Sequence, residues 1–168
     1  IKKCLKNEYL AYDTTSISSY SETMDQIKYG HNKDLESLPQ INLAVVFGEE
    51  SMLPVYYRKM PGNISDVSTI KKLLIDMDFL GLEKINFVLD RGFYSADNIN
   101  SLYRMRHKFI IGGRSNSALI KTSIGEAVDR IKDFSNYNIE HNIYCLTKES
   151  RWKYVYKNKK GEKASENR

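Results

Sequence analysis

Cysteine and proline are scarce in this chain of 168 residues, with two and three copies. Cys4 and Cys145 lie far apart, outside any Cys-x-x-Cys or Cys/His cluster, which excludes a disulfide framework and a zinc site. Nine glycines in no periodic arrangement remove the collagen-like and low-complexity classes. No apolar run approaches the ~18 residues that cross a bilayer. No basic-then-apolar leader opens the chain either, so the sequence reads as soluble and cytoplasmic, without a membrane partner. It begins at Ile1 rather than Met, which fits a segment of a longer or processed protein. What is present suffices for a core: 41% of residues are hydrophobic, 28% are charged, and there are 12 Tyr and 6 Phe. Wholly disordered classes are thereby excluded, and the length allows one well-cored domain or a domain with a partial second.

The net charge of +5 is informative once it is located. Residues 1–150 carry 19 basic and 19 acidic side chains, whereas residues 151–168 carry seven basic ones against Glu162 and Glu166. The excess is all at the end. A basic, aromatic-laced run such as Arg151-Trp-Lys153-Tyr-Val-Tyr-Lys157 suits phosphate binding combined with base stacking, and makes Arg151 and Lys153 candidate DNA contacts. A solvated exposed strand is the plain alternative.

Pattern orders the rest. Glu8 to Thr14 reads as a buried strand whose polar end, at Asp13, opens a loop. After a polar stretch broken by Gly30 and Pro39, Ile41–Phe47 and Leu53–Arg58 flank Gly48-Glu-Glu-Ser51 as a hairpin. Val67, Ile70, Leu73, Leu74, Met77 and Leu80 recur at helical spacing between Ser65, the expected N-cap, and Gly81. A short β-branched run again ends on an aspartate, Asp90, and Ser95 can cap a helix that precedes another strand. The expectation is an α/β fold: a mixed five-stranded sheet with strands near 8–14, 41–47, 53–58, 85–90 and 108–112, flanked by helices near 66–80 and 96–106. Past residue 113, Ser123-Ile-Gly-Glu126 fits a capping box, and Ile139–Leu146 and Trp152–Tyr156 read as two further strands. Residues 1–113 and 114–168 are thus expected to be separate regions.

Two strands that end on carboxylates carry the chemistry. As parallel neighbours they would bring Asp13 and Asp90 to one rim of the sheet, where a hard divalent cation such as Mg²⁺ or Mn²⁺ relieves their repulsion. Two such ions stabilise both oxygens of an in-line phosphoryl displacement. Either aspartate alone reads first as a strand-end turn former or helix cap. Four sequence words decide between these readings. Tyr12-Asp-Thr-Thr-Ser16, Tyr29-Gly-His-Asn-Lys-Asp34, Pro61-Gly-Asn-Ile-Ser-Asp66 and Val88-Leu-Asp-Arg-Gly-Phe-Tyr94 occur in that order, at junctions of strand and loop. Over roughly residues 8–113 they resemble the catalytic domain of bacterial insertion-sequence DDE transposases of the insertion-sequence-4 type.

The resemblance implies a ribonuclease-H-like fold, with Asp13 and Asp90 as catalytic, metal-binding residues for Mg²⁺ or Mn²⁺. It further implies cleavage and transfer of double-stranded DNA at transposon ends, with activated water and then a 3′-hydroxyl as nucleophiles. A nucleoid-associated place in a bacterial cytoplasm follows from it, with room for a homodimer of the full-length protein. Arg91, Tyr94, His31 and Lys33 become candidate DNA contacts. Gly92 would let backbone approach the duplex, and Arg91 would meet a phosphate, although Arg91 as a plain surface residue of a turn is the alternative. Gly62, Asn63 and Asp66 read as shaping and capping a helix start. His107 and His141 have no metal spacing.

The family's third acid is a glutamate in a Tyr, Arg, Glu, Lys pattern on a later helix. Tyr103 and Arg106 begin that pattern, but Ile110 stands where the glutamate belongs, and Glu126, Glu140, Glu149, Glu162 and Glu166 lack the flanking residues. Residues 114–168 then correspond to a linker helix and the beginning of the family's β-rich insertion. The expectation is a catalytic-domain piece, inactive alone, of an active parent transposase. The alternatives are a non-catalytic nucleic-acid-binding remnant of a mobile element and a ribonuclease-H-like nuclease, whose extra acids would have to come from Asp34, Asp66 or Asp97.

Overall fold

Burial alternates along the first two strands, β1 (Tyr9–Ser18) and β2 (Gln40–Gly48), and β3 (Pro54–Pro61) follows them. Helical spacing then gives α1 (Asp66–Phe79), followed by β4 (Asn86–Leu89), a 3₁₀ turn at Arg91–Phe93, α2 (Ala96–Arg104) and β5 (Lys108–Ile111). This computed structural model describes residues 8–21, 23–30, 38–82, 84–157 and 161–167. The sheet order is β3-β2-β1-β4-β5. The first three strands are antiparallel neighbours, while β4 runs parallel to β1 and β5 parallel to β4. Short loops can join the antiparallel strands, but parallel ones need crossovers, and α1 and α2 are those crossovers. The result is a ribonuclease-H-like mixed sheet with flanking helices.

One face of the sheet holds the core. Leu10, Tyr12, Ala44, Val46, Phe87 and Leu89 pack with Ile70, Leu73, Leu74 and Met77 of α1 and Leu102 of α2. Each large apolar side chain so buried contributes about 1.5–3 kcal/mol before chain entropy is subtracted. On the opposite face Tyr9, Ala11, Phe47, Met52, Val88 and Ile110 line a shallow apolar depression of about 630 Å³.

The chain divides into two units, Ile1–Gly112 and Gly113–Arg168. The second contains α3 (Ala118–Ala127), a small hairpin of β6 (Tyr137–Asn138) and β7 (Ile143–Tyr144), and a longer hairpin of β8 (Lys153–Lys157) and β9 (Lys163–Asn167).

Several boundaries differ from the sequence reading. β1 does not stop at Asp13: its antiparallel ladder with β2 continues to Ser18, opposite Gln40, so Asp13 lies within the strand. Ser65 occupies the N-cap position of α1 with extended backbone but makes no capping bond with its side chain. Ser123 and Glu126 form no capping box, because both lie inside α3; Ser117 is the cap, accepting the Ile120 N–H. Ile139–Leu146 is not one strand, since the chain turns between Asn138 and Ile143 to pair Tyr137 with Tyr144.

Candidate active site

The parallel register of β1 and β4 runs from Tyr9 opposite Asn86 to Tyr12 opposite Leu89, and the residues next in line are Asp13 and Asp90. Because Leu10, Tyr12 and Thr14 point into the core, the pleat puts Asp13 on the exposed face with Tyr9 and Ala11. Its Oδ1 accepts the Thr14 N–H at 2.7 Å. Asp90, also exposed, leaves β4 to cap the 3₁₀ turn, and its Oδ1 accepts the Arg91 N–H at 2.6 Å.

Three side contacts fix that turn. Phe93 is buried, with its ring centroid 5.0 Å from that of Tyr12. The Asn98 amide, buried at the start of α2, donates at 2.8 Å to the carbonyls of both Phe93 and Val67, tying the turn to α1. Gly112 donates its N–H to the Leu89 carbonyl, and a Cβ placed on it would stand 2.8 Å from the Arg91 nitrogen. Asn98 did not stand out in the sequence, and Gly112 did so only as the place where the pattern of elements changes. A polar residue in the first turn of a helix and a glycine after a strand are too common to signal a role.

Asp66 is the second finding. It opens α1, and its Oδ1 accepts the hydroxyl of Thr14, the neighbour of Asp13. A Cβ on Gly92 would lie 3.5 Å from Asp66 Oδ2 and 3.8 Å from Asp90 Oδ2, so both carboxylates border Gly92. The Tyr12 hydroxyl is pushed up to about 12 chiefly by burial, opposed by its hydrogen bond with Thr69, with the charge of Asp66 adding to the rise. Tyr12 is therefore neutral near the carboxylates.

Two of the sequence words pack back to back to deliver Asp66. Gly62 donates its N–H to the Gln26 carbonyl at 3.3 Å, and its own carbonyl accepts from Gln40 Nε2 at 3.0 Å and Asn42 Nδ2 at 3.3 Å. Asn42 Nδ2 also reaches the Ile64 carbonyl at 2.8 Å. A Cβ on Gly30 would fall 2.0 Å from the Gly62 oxygen, and one on Gly62 would fall 2.1 Å from the Gln40 oxygen. Only glycine permits this backbone crossing.

Of the expected DNA contacts, Arg91 is exposed and Tyr94 half-buried, both in the turn that follows Asp90. His31 and Lys33 lie outside the described residues. Arg151 and Lys153 are exposed and belong to the second unit. The base-stacking part of the tail reading is corrected for Tyr154, which is buried and stacked on Tyr156 with ring centroids 5.2 Å apart. Among the described residues, no three His, Cys, Asp or Glu side chains gather into a metal-holding group. Asp13 and Asp90 offer carboxylate oxygens, the donor type that hard divalent cations prefer, so this pair fits one such cation in chemistry.

The Transposase DDE domain family matches residues 6–165, and the chain belongs to that family. No curated protein matches it. Among solved structures, it is similar to a Mos1 mariner paired-end complex with Mn, at 14% identity over 76% of this chain and 45% of that one, with a TM-score of 0.44. It is also similar to a piggyBac transposase synaptic complex with hairpin DNA, at 15% identity over 70% of this chain and 25% of that one, TM-score 0.42. A third is Ciona intestinalis endonuclease V in complex with a 23mer DNA, at 15% identity over 81% of this chain and 61% of that one, TM-score 0.37. The chain thus spans less than two thirds of each. Among the described residues, no helix is long and apolar enough to cross a membrane.

Proposed function

We propose that this chain is the part of an insertion-sequence-4-type DDE transposase that carries the first two acids of a metal-dependent DNA cleavage and strand-transfer site, Asp13 and Asp90. The observation that carries the reading is the parallel β1–β4 register, which leaves these two aspartates next in line on adjacent strands. The four ordered sequence words and the family match support the assignment. Asp13 and Asp90 would hold Mg²⁺ or Mn²⁺. When bound, the cation supplies charge neutralisation at the attacking and leaving oxygens of the displacement. Arg91 and Tyr94 contact the phosphates of double-stranded DNA, while Asn98 and Gly112 hold the turn that presents Asp90. Residues 114–168 form a linker helix and the beginning of the β-rich insertion.

Nicking of supercoiled plasmid in Mn²⁺ tests this reading. The expected result is no nicking above background by this chain, because in-line geometry depends on a third carboxylate. Robust nicking that disappears in Asp13→Ala, Asp90→Ala and Asp66→Asn would make Asp66 the completing acid. Nicking that survives Asp13→Ala and Asp90→Ala would remove both from catalysis. The second reading, a non-catalytic nucleic-acid-binding unit, is favoured by the lack of a three-residue metal-holding group among the described residues.

A further inference from the structure

The ladder between β1 and β4 ends one residue short of the acids, at Tyr12 opposite Leu89, and Asp90 then turns into the 3₁₀ segment. Strand pairing therefore does not fix where Asp90 stands relative to Asp13. Two carboxylates that share a cation repel each other once it leaves, so some other contact has to hold them in place.

The first turn of α1 supplies that contact from both sides. Asp13 points away from the core, and its two neighbours on β1, Tyr12 and Thr14, point into it. Thr14 donates its hydroxyl to Asp66 Oδ1, while the Tyr12 hydroxyl meets Thr69, which in turn donates to the Asp66 carbonyl at 2.7 Å. On the Asp90 side, Asn98 clasps the carbonyls of Val67 and Phe93, and the Phe93 ring lies against Tyr12. Asp66 Oδ2 and Asp90 Oδ2 both border Gly92, 3.5 and 3.8 Å from where a Cβ on it would stand. Thr14, Thr69 and Asn98 are each no more than 2% exposed. Polar groups buried in an apolar core cost stability unless they are bonded, and all three are bonded to the short stretch Asp66-Val67.

We infer that Asp66 is a positioning residue for the pair: pinned by Thr14 on one side and set against Gly92 on the other, it fixes the place of Asp90 relative to Asp13. The inference rests on the reading of those two aspartates as the cation site. Asp66 acts through its neighbours and not as a third ligand, since its Oδ1 is engaged by Thr14 and no three acids gather into a metal-holding group among the described residues. A purely structural Asp66 would only stabilise α1 through the helix dipole, as an acidic residue in a first turn does. That role would make cation affinity indifferent to the Thr14 hydroxyl.

The test uses the whole chain and two readouts, Mn²⁺ affinity by isothermal titration at a temperature where every variant is folded, and the metal-free NMR signal of the Arg91 N–H, which donates to Asp90 Oδ1. Thr14→Val and Asp66→Ala should each weaken Mn²⁺ binding about 10–100-fold, the usual effect of losing a group that orients a metal ligand. Both should also shift the Arg91 signal. The double variant should be no weaker than the worse single one, because both changes break the same contact. Thr14→Ser keeps the hydroxyl and Asp66→Asn keeps an acceptor for it, so both should bind Mn²⁺ nearly as wild type does even where the melting temperature falls. Asp76→Ala loosens the other end of α1 from β3 and should lower the melting temperature while leaving affinity and the Arg91 signal unchanged. Wild-type affinity in Thr14→Val and Asp66→Ala overturns the inference, and leaves the cation reading intact if Asp13→Ala and Asp90→Ala still lose binding. Asp66→Asn that abolishes binding as fully as Asp13→Ala also overturns it, by making Asp66 a ligand. If wild type binds no Mn²⁺ the cation reading falls, and the Arg91 signal in Thr14→Val alone decides whether Asp66 positions Asp90.

Discussion

His107 shows how little of a residue's role is written in its spacing. The sequence offered it only as a histidine without metal partners, yet it is 6% exposed, its ring edge-on to Phe87, with Nδ1 accepting the Ile85 N–H at 3.2 Å. Burial pushes the imidazole below its ordinary value, against the opposing charge of Asp78. The folded state thus binds this proton more weakly than the unfolded chain, whose histidine titrates near pH 6.5. Its contribution is complete above about pH 6.5 and declines as pH falls through that value toward the lower folded one. Urea midpoints measured from pH 7 to 5 should fall in wild type and fall less in His107→Gln. Asn98 and Gly112 make the same point at the site. Asn98→Ala leaves the buried Phe93 and Val67 carbonyls without the amide, at about 2–3 kcal/mol for two buried hydrogen bonds. Gly112→Ala forces a Cβ against the Arg91 nitrogen and should cost about 1–3 kcal/mol as overpacking. Denaturant titration checks both. Asp13 and Asp90 drew attention because each follows an apolar run and sits in a recognisable word; Asp66 was legible as a helix start and as a spare acid of the nuclease alternative, but its anchoring was not, since the Thr14 hydroxyl that holds it is 52 residues away.

Elements with strong periodicity were readable, and those held by long-range contacts were not. β2, β3, α1, β4, α2 and β5 fall within a few residues of the runs that announced them, because apolar runs and helical spacing are local. The extension of β1 past Asp13 depends on pairing with β2, which a local reading cannot see. α3 was displaced because Ser123 and Glu126 match a cap pattern while Ser117 does the capping. The attachment of α1 to β3 was likewise invisible: Tyr56 and Arg58 both donate to Asp76 of α1. Burial pushes the Asp76 carboxyl up, but these two hydrogen bonds outweigh it and hold it below the usual carboxylate range. The Tyr56 hydroxyl rises to about 12, first through burial and then through its bond to Asp76. Since the Arg58 side chain is 41% exposed, solvent screens the ion pair, and Asp76→Ala should cost only about 1–2 kcal/mol. Tyr56→Phe should cost less, because Arg58 still reaches the carboxylate. Thermal melts of the two variants check that order.

At the scale of the whole molecule, the core cluster among the described residues runs from Leu10 to Phe93 and includes Leu102, with Met105, Phe109 and Ile111 packed against it, all before Gly113. A protein of residues 8–112 should therefore unfold cooperatively in urea, whereas a gradual, probe-dependent transition would show that the core needs the second unit. Composition located the basic excess of the tail correctly, but only strand register could assign it to one face, since alternation of Lys and Tyr in Lys153–Lys157 leaves the inward side open until Tyr154 is seen buried. The claim that Asp13 and Asp90 share a divalent cation is tested most directly by isothermal titration of Mn²⁺ into wild type, Asp13→Ala and Asp90→Ala. The expected result is weak binding by wild type that disappears in either variant; equal affinity in all three would contradict it.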